Sequence, residues 1–493
     1  MFSKFGDITW KTYDWVGTYQ WFDIIKQSLI LGKIPYHAIA YDTKVIGNNI
    51  FEGTNGGYDI RWFSGGYAFI SPTIILLKYI SVENFIALSF VFYYLIGLYG
   101  IKKWVIELKL SQEASFFLII MLSFNGAIIS KMGIGHLLYC NAYMIIPLYL
   151  YIIYRFTLID NKNIQSCLKI SILFSIFIFF TKLNANGQNV YQFLFIGLIV
   201  MLFQPKKLIW YGFSLIHSFF LMSFYIFPTF LYGNYGTVER TIFAGYGFGE
   251  DLYFSLEFSE TIFKTFYYHF FNIINHIMYA LIKPYNASYD ASWEFSLYIG
   301  KFGLLFITLC LISLYFKNKK YFFKKNYKYI LPALVVTVLS VSLLKREIFN
   351  SIENIFHITI PKVDRLPSRL IIYPFSLTII IASLGFDSLF DSIKIKHAKK
   401  LKYISLIVIS IILFYNSYFW SVHQTEMNYI LPQDETRHLF KTTILNLSGD
   451  DAYKRTVNIS YLVSLTLFLF TLYIYWLLKK NKIFKIKSYV NGK

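Results

Sequence analysis

Charge is what this sequence has least of. Only 15% of its 493 residues are charged, against roughly 25% in a soluble globular domain. With 56% hydrophobic residues and a mean hydropathy of +0.49, the chain holds more apolar side chain than one ordinary core can absorb. The three cysteines, Cys140, Cys167 and Cys310, are too scattered for a disulfide framework or a thiolate metal site. Each lies in or beside an apolar run and is expected to pack there. Acidic residues are absent from the apolar runs. Proton- or ion-coupled carriers usually need a carboxylate within the membrane, so this absence counts against a coupled transporter. No internal repeat is visible, which counts against an inverted-repeat carrier. The net charge of +20 does not point to nucleic acid, because the lysines sit in short runs between apolar segments, as the positive-inside rule requires.

Runs of membrane-spanning length fall near 84–101, 114–130, 137–156, 167–181, 190–204, 208–231, 296–316, 327–344, 370–386, 402–420 and 458–478. They predict an all-α polytopic membrane protein with about eleven transmembrane helices. The loops 102–113, 155–167, 204–207, 317–328, 387–401 and 479–493 are about threefold denser in Lys and Arg than the alternate loops. That bias places them, and the C-terminus, in the cytoplasm, and points to the cytoplasmic (inner) membrane. Most of the 27 acidic residues lie in the alternate loops. The expected organisation is an outer first loop, 1–83, a first bundle, 84–231, and a large outer loop, 232–295. A second bundle, 296–478, follows, with outer loops 345–369 and 421–457, and then a basic tail, 479–493. Two small outer turns, 131–136 and 182–189, join pairs of spans. Chemistry is therefore expected on the outer face.

The stretch DWVGTYQWFDIIKQSLILG, 14–32, repeats apolar residues at helical steps: Trp15, Tyr19, Phe22, Ile25 and Leu29. Gly32 and Pro35 end the pattern. A stripe this aromatic, outside the spans, suits a helix lying in the membrane interface. A second short helix is predicted over SPTIILLKY, 71–79, with Pro72 at its first position.

The order of these pieces resembles the first outer loop of GT-C superfold membrane glycosyltransferases, and most closely the YfhO-like bacterial membrane proteins. It runs Asp14-Trp15, an amphipathic helix, Gly-Lys-Ile-Pro, a Gly-rich loop, then Ser71-Pro72 before a span. GHLLYCNAYMIIPLYLY (135–151), NGQNVYQ (186–192), EFSLYIG (294–300) and LPSRLIIYPFSLTIIIASLGFD (366–387) are similar to later motifs of that group, in the same order. One departure is that residues 1–13 contain no span, whereas a span precedes this loop in the superfold. With a leading span the count would be twelve.

The resemblance implies transfer of a sugar from a polyprenyl-phosphate donor to a glycan, lipid or protein acceptor. Asp14 is the candidate base, or else the N-cap of the following helix. His136 matches an active-site position facing Asp14, or is an interfacial histidine. Arg365 and Arg369, extended by Lys362, are candidates for binding the lipid phosphate at a helix start, or else snorkel to the interface. Asn186 and Gln188 are candidates for reading sugar or acceptor hydroxyls, or else make an ordinary turn. A divalent metal has little support, because one Asp and one His make a poor site. Two other readings stay open: a flippase or carrier of lipid-linked saccharide, and a non-catalytic member of the superfold.

Overall fold

The computed structural model describes residues 13–30, 32, 37–41, 58–59, 71–161, 163–184, 187–232, 281–282, 296–318, 332–333, 370–391, 395–426, 441–445 and 450–480. Helices dominate. Helix α1 (Tyr13–Ile30) precedes two short strands, β1 (His37–Tyr41) and β2 (Tyr58–Asp59), and a 3-10 helix (Pro72–Lys78). Next come α2 (Val82–Leu108), α3 (Gln112–Ser123), α4 (Gly126–Ile134), α5 (Leu137–Met144), α6 (Ile146–Leu158), α7 (Ile164–Asn184), α8 (Gly187–Leu202), α9 (Leu208–Leu221) and α10 (Ser223–Tyr232). Then follow α11 (Gly300–Asn318), α12 (Ile372–Phe390), α13 (Ile395–Glu426), β3 (Lys441–Leu445) and α14 (Asp450–Lys479), and one apolar core draws on helices from both stretches.

Among the described residues seven helical segments, α3 and α4 counted as one, are long and apolar enough to cross a membrane, or eight with the α5–α6 pair counted as one span bent by 42°. α2 spans about 40 Å at 1.5 Å per residue, more than the roughly 30 Å hydrocarbon core. The expected span at 190–204 is the shorter helix α8. That at 208–231 is α9 and α10, which meet at Met222. The expected span at 327–344 lies outside the described residues except at 332–333. The helices that face outward carry apolar stripes: on α14, Leu462 is 66% exposed and Phe470 60%. Contiguous apolar surface of this kind needs a lipid or protein cover.

The expectation of an all-α chain holds for the bundle, but a small antiparallel sheet, ordered β2-β1-β3, lies beside it. His37 pairs with Leu445 and Tyr41 with Lys441, so the first loop is stitched to the last. The Trp15 stripe is a helix, as its periodicity predicts. Its apolar face is satisfied by protein: Trp15, Phe22 and Ile25 are buried with Ile74, Leu77, Phe85, Ile86 and Leu137. Ser71 caps the 3-10 helix through Thr73 N–H, with Pro72 in its first turn.

The helix ends sort into two groups. At the end carrying α1, Lys26 Nζ donates to Ile80 O (2.9 Å), Tyr461 Oη to Ser71 O (3.4 Å) and Lys454 Nζ to Gly32 O (2.8 Å). The opposite end holds the pairs Arg155–Glu107 (3.1 Å), Lys402–Asp387 (2.6 Å) and Lys317–Asp391. Ser111 Oγ also donates to Asp387 there (2.9 Å). This sorting is the alternation the loop charges predict.

Two consecutive spans are broken inside the bundle. Between α3 and α4, Asn125 closes the gap: its Oδ1 accepts from Ala127 and Ile128 N–H, and its Nδ2 donates to Met121 O and Leu122 O. Between α5 and α6 the break falls at Ile145, just before Pro147, which cannot continue the helical hydrogen-bond ladder. α2 crosses this second break through Gly97 and Gly100. A Cβ on Gly100 would strike the Leu148 backbone.

Candidate functional site

The corner between α4 and α5 sits at the α1 end. α4 stops at Gly135, whose φ of 92° is a left-handed conformation that glycine adopts without strain. His136 follows, with its N–H donating to Lys131 O (2.9 Å), and α5 begins. Helix α1 docks on this corner through two side chains. Trp15 Nε1 donates to Met132 O (3.1 Å), and Thr18 Oγ1 donates to Gly135 O (3.0 Å). Trp15 is 2% exposed, and burying three large side chains of the stripe supplies about 1.5–3 kcal/mol each. The first turn of α1 is thereby held against the turn that carries His136. Asp14 is the second residue of that helix, inside the first turn rather than at the cap.

The corner also contains a residue that sequence reasoning placed in a loop. α4 continues through Lys131, which is 1% exposed, with Nζ 5.7 Å from the Tyr139 ring centroid. That is within cation–π range. The Tyr139 ring lies 5.6 Å from the His136 ring. Lys182, near the end of α7, is 3% exposed, and its Nζ lies 3.4 Å from the Tyr225 ring centroid. A lysine interrupting an otherwise apolar run was the signal for both.

Asp23 lies on α1 but off the stripe. It is half-buried and accepts from Gln27 Nε2 (2.6 Å). Burial lifts its carboxyl above the ordinary carboxylate range. Glu83 adds to that, while the Gln27 bond and Lys26 oppose it.

A second polar group lies deeper. Asn189, Gln192 and Tyr373 are buried together: Asn189 Nδ2 and Tyr373 Oη both donate to Gln192 Oε1, at 3.2 and 3.3 Å. Tyr373 also packs on Tyr149 and Phe193, with ring centroids 5.8 and 5.5 Å away. Tyr149 lies twelve residues after Leu137, so about 18 Å of helix separates it from the start of α5. α12 therefore begins well inside the bundle, where its first turn meets the first turns of α8.

Of the expected site residues, Asp14 lies by its backbone in the first turn of α1, and His136 lies in the turn between α4 and α5 on which that helix docks. Gln188 belongs to the first turn of α8 by its backbone. Asn186, Lys362, Arg365 and Arg369 lie outside the described residues, and in the sequence Arg369 immediately precedes Leu370. Among the described residues no three His, Cys, Asp or Glu side chains form a group able to hold a metal. His217 is a packing residue, with Nε2 3.0 Å from Thr471 Oγ1. All three cysteines are buried and free.

Between α3 and α13 runs an open apolar groove of about 850 Å³, lined by Phe116, Ile407, Ile411, Phe414, Tyr415 and Tyr418 among others. The architecture is that of a multi-pass helical membrane protein. Compared with known proteins, the chain matches no family model, no curated protein and no solved structure.

Proposed function

We propose that this protein is a membrane glycosyltransferase of the GT-C kind, moving a sugar from a polyprenyl-phosphate donor to a cell-envelope glycan, lipid or protein at the outer face. The observation that supports the reading is the docking of α1 on the α4–α5 corner by Trp15 and Thr18. In this mechanism Asp14 takes the proton of the acceptor hydroxyl. The acceptor oxygen bonds to the anomeric carbon as the bond from that carbon to the phosphate oxygen breaks, and the phosphate leaves with the electron pair. Arg365, Arg369 and Lys362, which precede α12 in the sequence, neutralise that phosphate. Asn186 and Gln188 hydrogen-bond sugar or acceptor hydroxyls, and His136 orients the acceptor. The apolar lining of the α3–α13 groove suits a polyprenyl chain.

The test is radiolabel transfer from polyprenyl-phosphate sugar in proteoliposomes. Asp14→Asn should lower the rate by about 10²–10⁴, the usual worth of a general base. Binding of a polyprenyl-phosphate analogue should survive that change but weaken by about 1–3 kcal/mol for Arg365→Ala or Arg369→Ala. Transfer untouched by Asp14→Asn would remove that residue from the chemistry.

The bent α5–α6 pair favours one second reading, a flippase or carrier of lipid-linked saccharide, because carriers build midplane sites from interrupted helices. Movement of lipid-linked sugar across the vesicle without label transfer would select it.

A further inference from the structure

Helix α13 buries one narrow seam, Leu406, Ile409, Leu413 and Asn416, spaced three and four residues apart. The seam packs on α3 and α4. Its last member is an amide. Asn416 is 0% exposed, and neither its Oδ1 nor its Nδ2 has a hydrogen-bond partner among the described residues.

Two more buried groups share its surroundings. Phe414 contacts Phe124, with ring centroids 5.4 Å apart, which sets Asn416 at the level of the α3–α4 break. Ser296 Oγ lies against Gly126 at that break, and Gly300, four residues on, lies against Ile412, one turn before Asn416. Ser130 is one turn beyond Gly126 on α4. Ser130 Oγ and Ser296 Oγ are buried and, like Asn416, have no hydrogen-bond partner among the described residues.

The break itself does not need these groups. Asn125 serves Ala127 N–H, Ile128 N–H and the Met121 and Leu122 carbonyls, and Gly126 N–H donates to Tyr298 O (3.0 Å). What remains is a surplus of hydrogen-bonding capacity: one amide donor, one amide acceptor and two hydroxyls. Buried polar groups in native proteins are satisfied in more than about nine cases in ten. A group that both donates and accepts, and carries no charge, matches this set, since none of the three side chains is ionisable.

We propose that Asn416, Ser296 and Ser130 form a buried site for a neutral hydroxyl guest, either ordered water or a saccharide hydroxyl, at the level of the α3–α4 break. The site is independent of the transfer reaction and of Asp14.

X-ray hydroxyl-radical footprinting of the full chain in nanodiscs tests it, because radicals formed at a bound hydroxyl oxidise neighbours that bulk solvent does not reach. Leu413 is the reporter: it is fully buried and one turn from Asn416. Oxidation at Leu413 in the wild type, lost in Asn416→Leu and reduced in the milder Ser296→Ala, is the expected result. Protection of Leu413 by added D-glucose identifies a saccharide hydroxyl, and oxidation that persists with glucose identifies water. An unoxidised Leu413 in the wild type, or an Asn416→Leu protein that melts at a higher temperature than the wild type, overturns the proposal.

Discussion

Asp23 shows how one side chain couples α1 to pH. Burial raises its pKa, so the folded protein keeps a proton that the unfolded chain releases. Its effect on stability is therefore a loss as pH rises from the ordinary carboxylate range through the raised value. Melting curves of wild type and Asp23→Asn should coincide near about pH 4 and separate toward about pH 7, with the variant the more stable. A gap that widens on acidification instead would reverse the sign and identify a net-favourable ion. The same side chain marks the limit of sequence reading at this scale. Helical periodicity puts Asp23 off the apolar stripe correctly. It cannot show that the 3-10 helix and the start of α2 close over that side of α1. Lys131 fails in the opposite direction: a charge next to glycines reads as a loop, and only the left-handed Gly135 shows that the helix continues past it.

At the scale of elements, close helix approach depends on single missing side chains. Gly100→Ala must push α2 off α6, because the new Cβ meets the Leu148 backbone rather than a side chain able to move aside. Overpacking of this kind costs about 1–3 kcal/mol, readable as a lower melting temperature in detergent. Gly212→Ala on α9 meets nothing within 4 Å and is the control: there alanine should be neutral or stabilising by up to about 1 kcal/mol. Most span positions were legible because twenty apolar residues leave few alternatives to a membrane helix. The breaks at Asn125 and Ile145 were not legible. Each is made inside an unbroken apolar run, by one amide in the first case and by a proline's neighbour in the second. The sheet was hidden for a different reason: β1 finds its partner in β3, at the far end of the chain.

For the whole molecule, the sorting of helix ends makes a prediction about sidedness. The end that holds Arg155–Glu107 and Lys402–Asp387 is the one the positive-inside rule assigns to the cytoplasm. A cysteine at Tyr79, 75% exposed at the α1 end, should react with a membrane-impermeant maleimide on intact cells. One at Lys479 should react only after permeabilisation. The reverse pattern would invert the protein and move the Asp14–His136 corner to the other compartment. The helix that docks on the corner was readable, since its apolar residues recur at helical steps. What docks it, a tryptophan N–H on Met132 O and a threonine hydroxyl on Gly135 O, uses backbone carbonyls, and no sequence pattern announces those.

The contacts around α1 also set an order of events on the ribosome. Its berth on α4 and α5 exists once the third span has been made. The partners of Gly32 and β1 are another matter. Lys454 lies 422 residues beyond Gly32, so that contact waits until α14 has been made. Nascent chains released before β3 should therefore insert their earlier spans and still lack the β1–β3 pairing, which makes this face a seam that closes late and joins distant stretches of one chain.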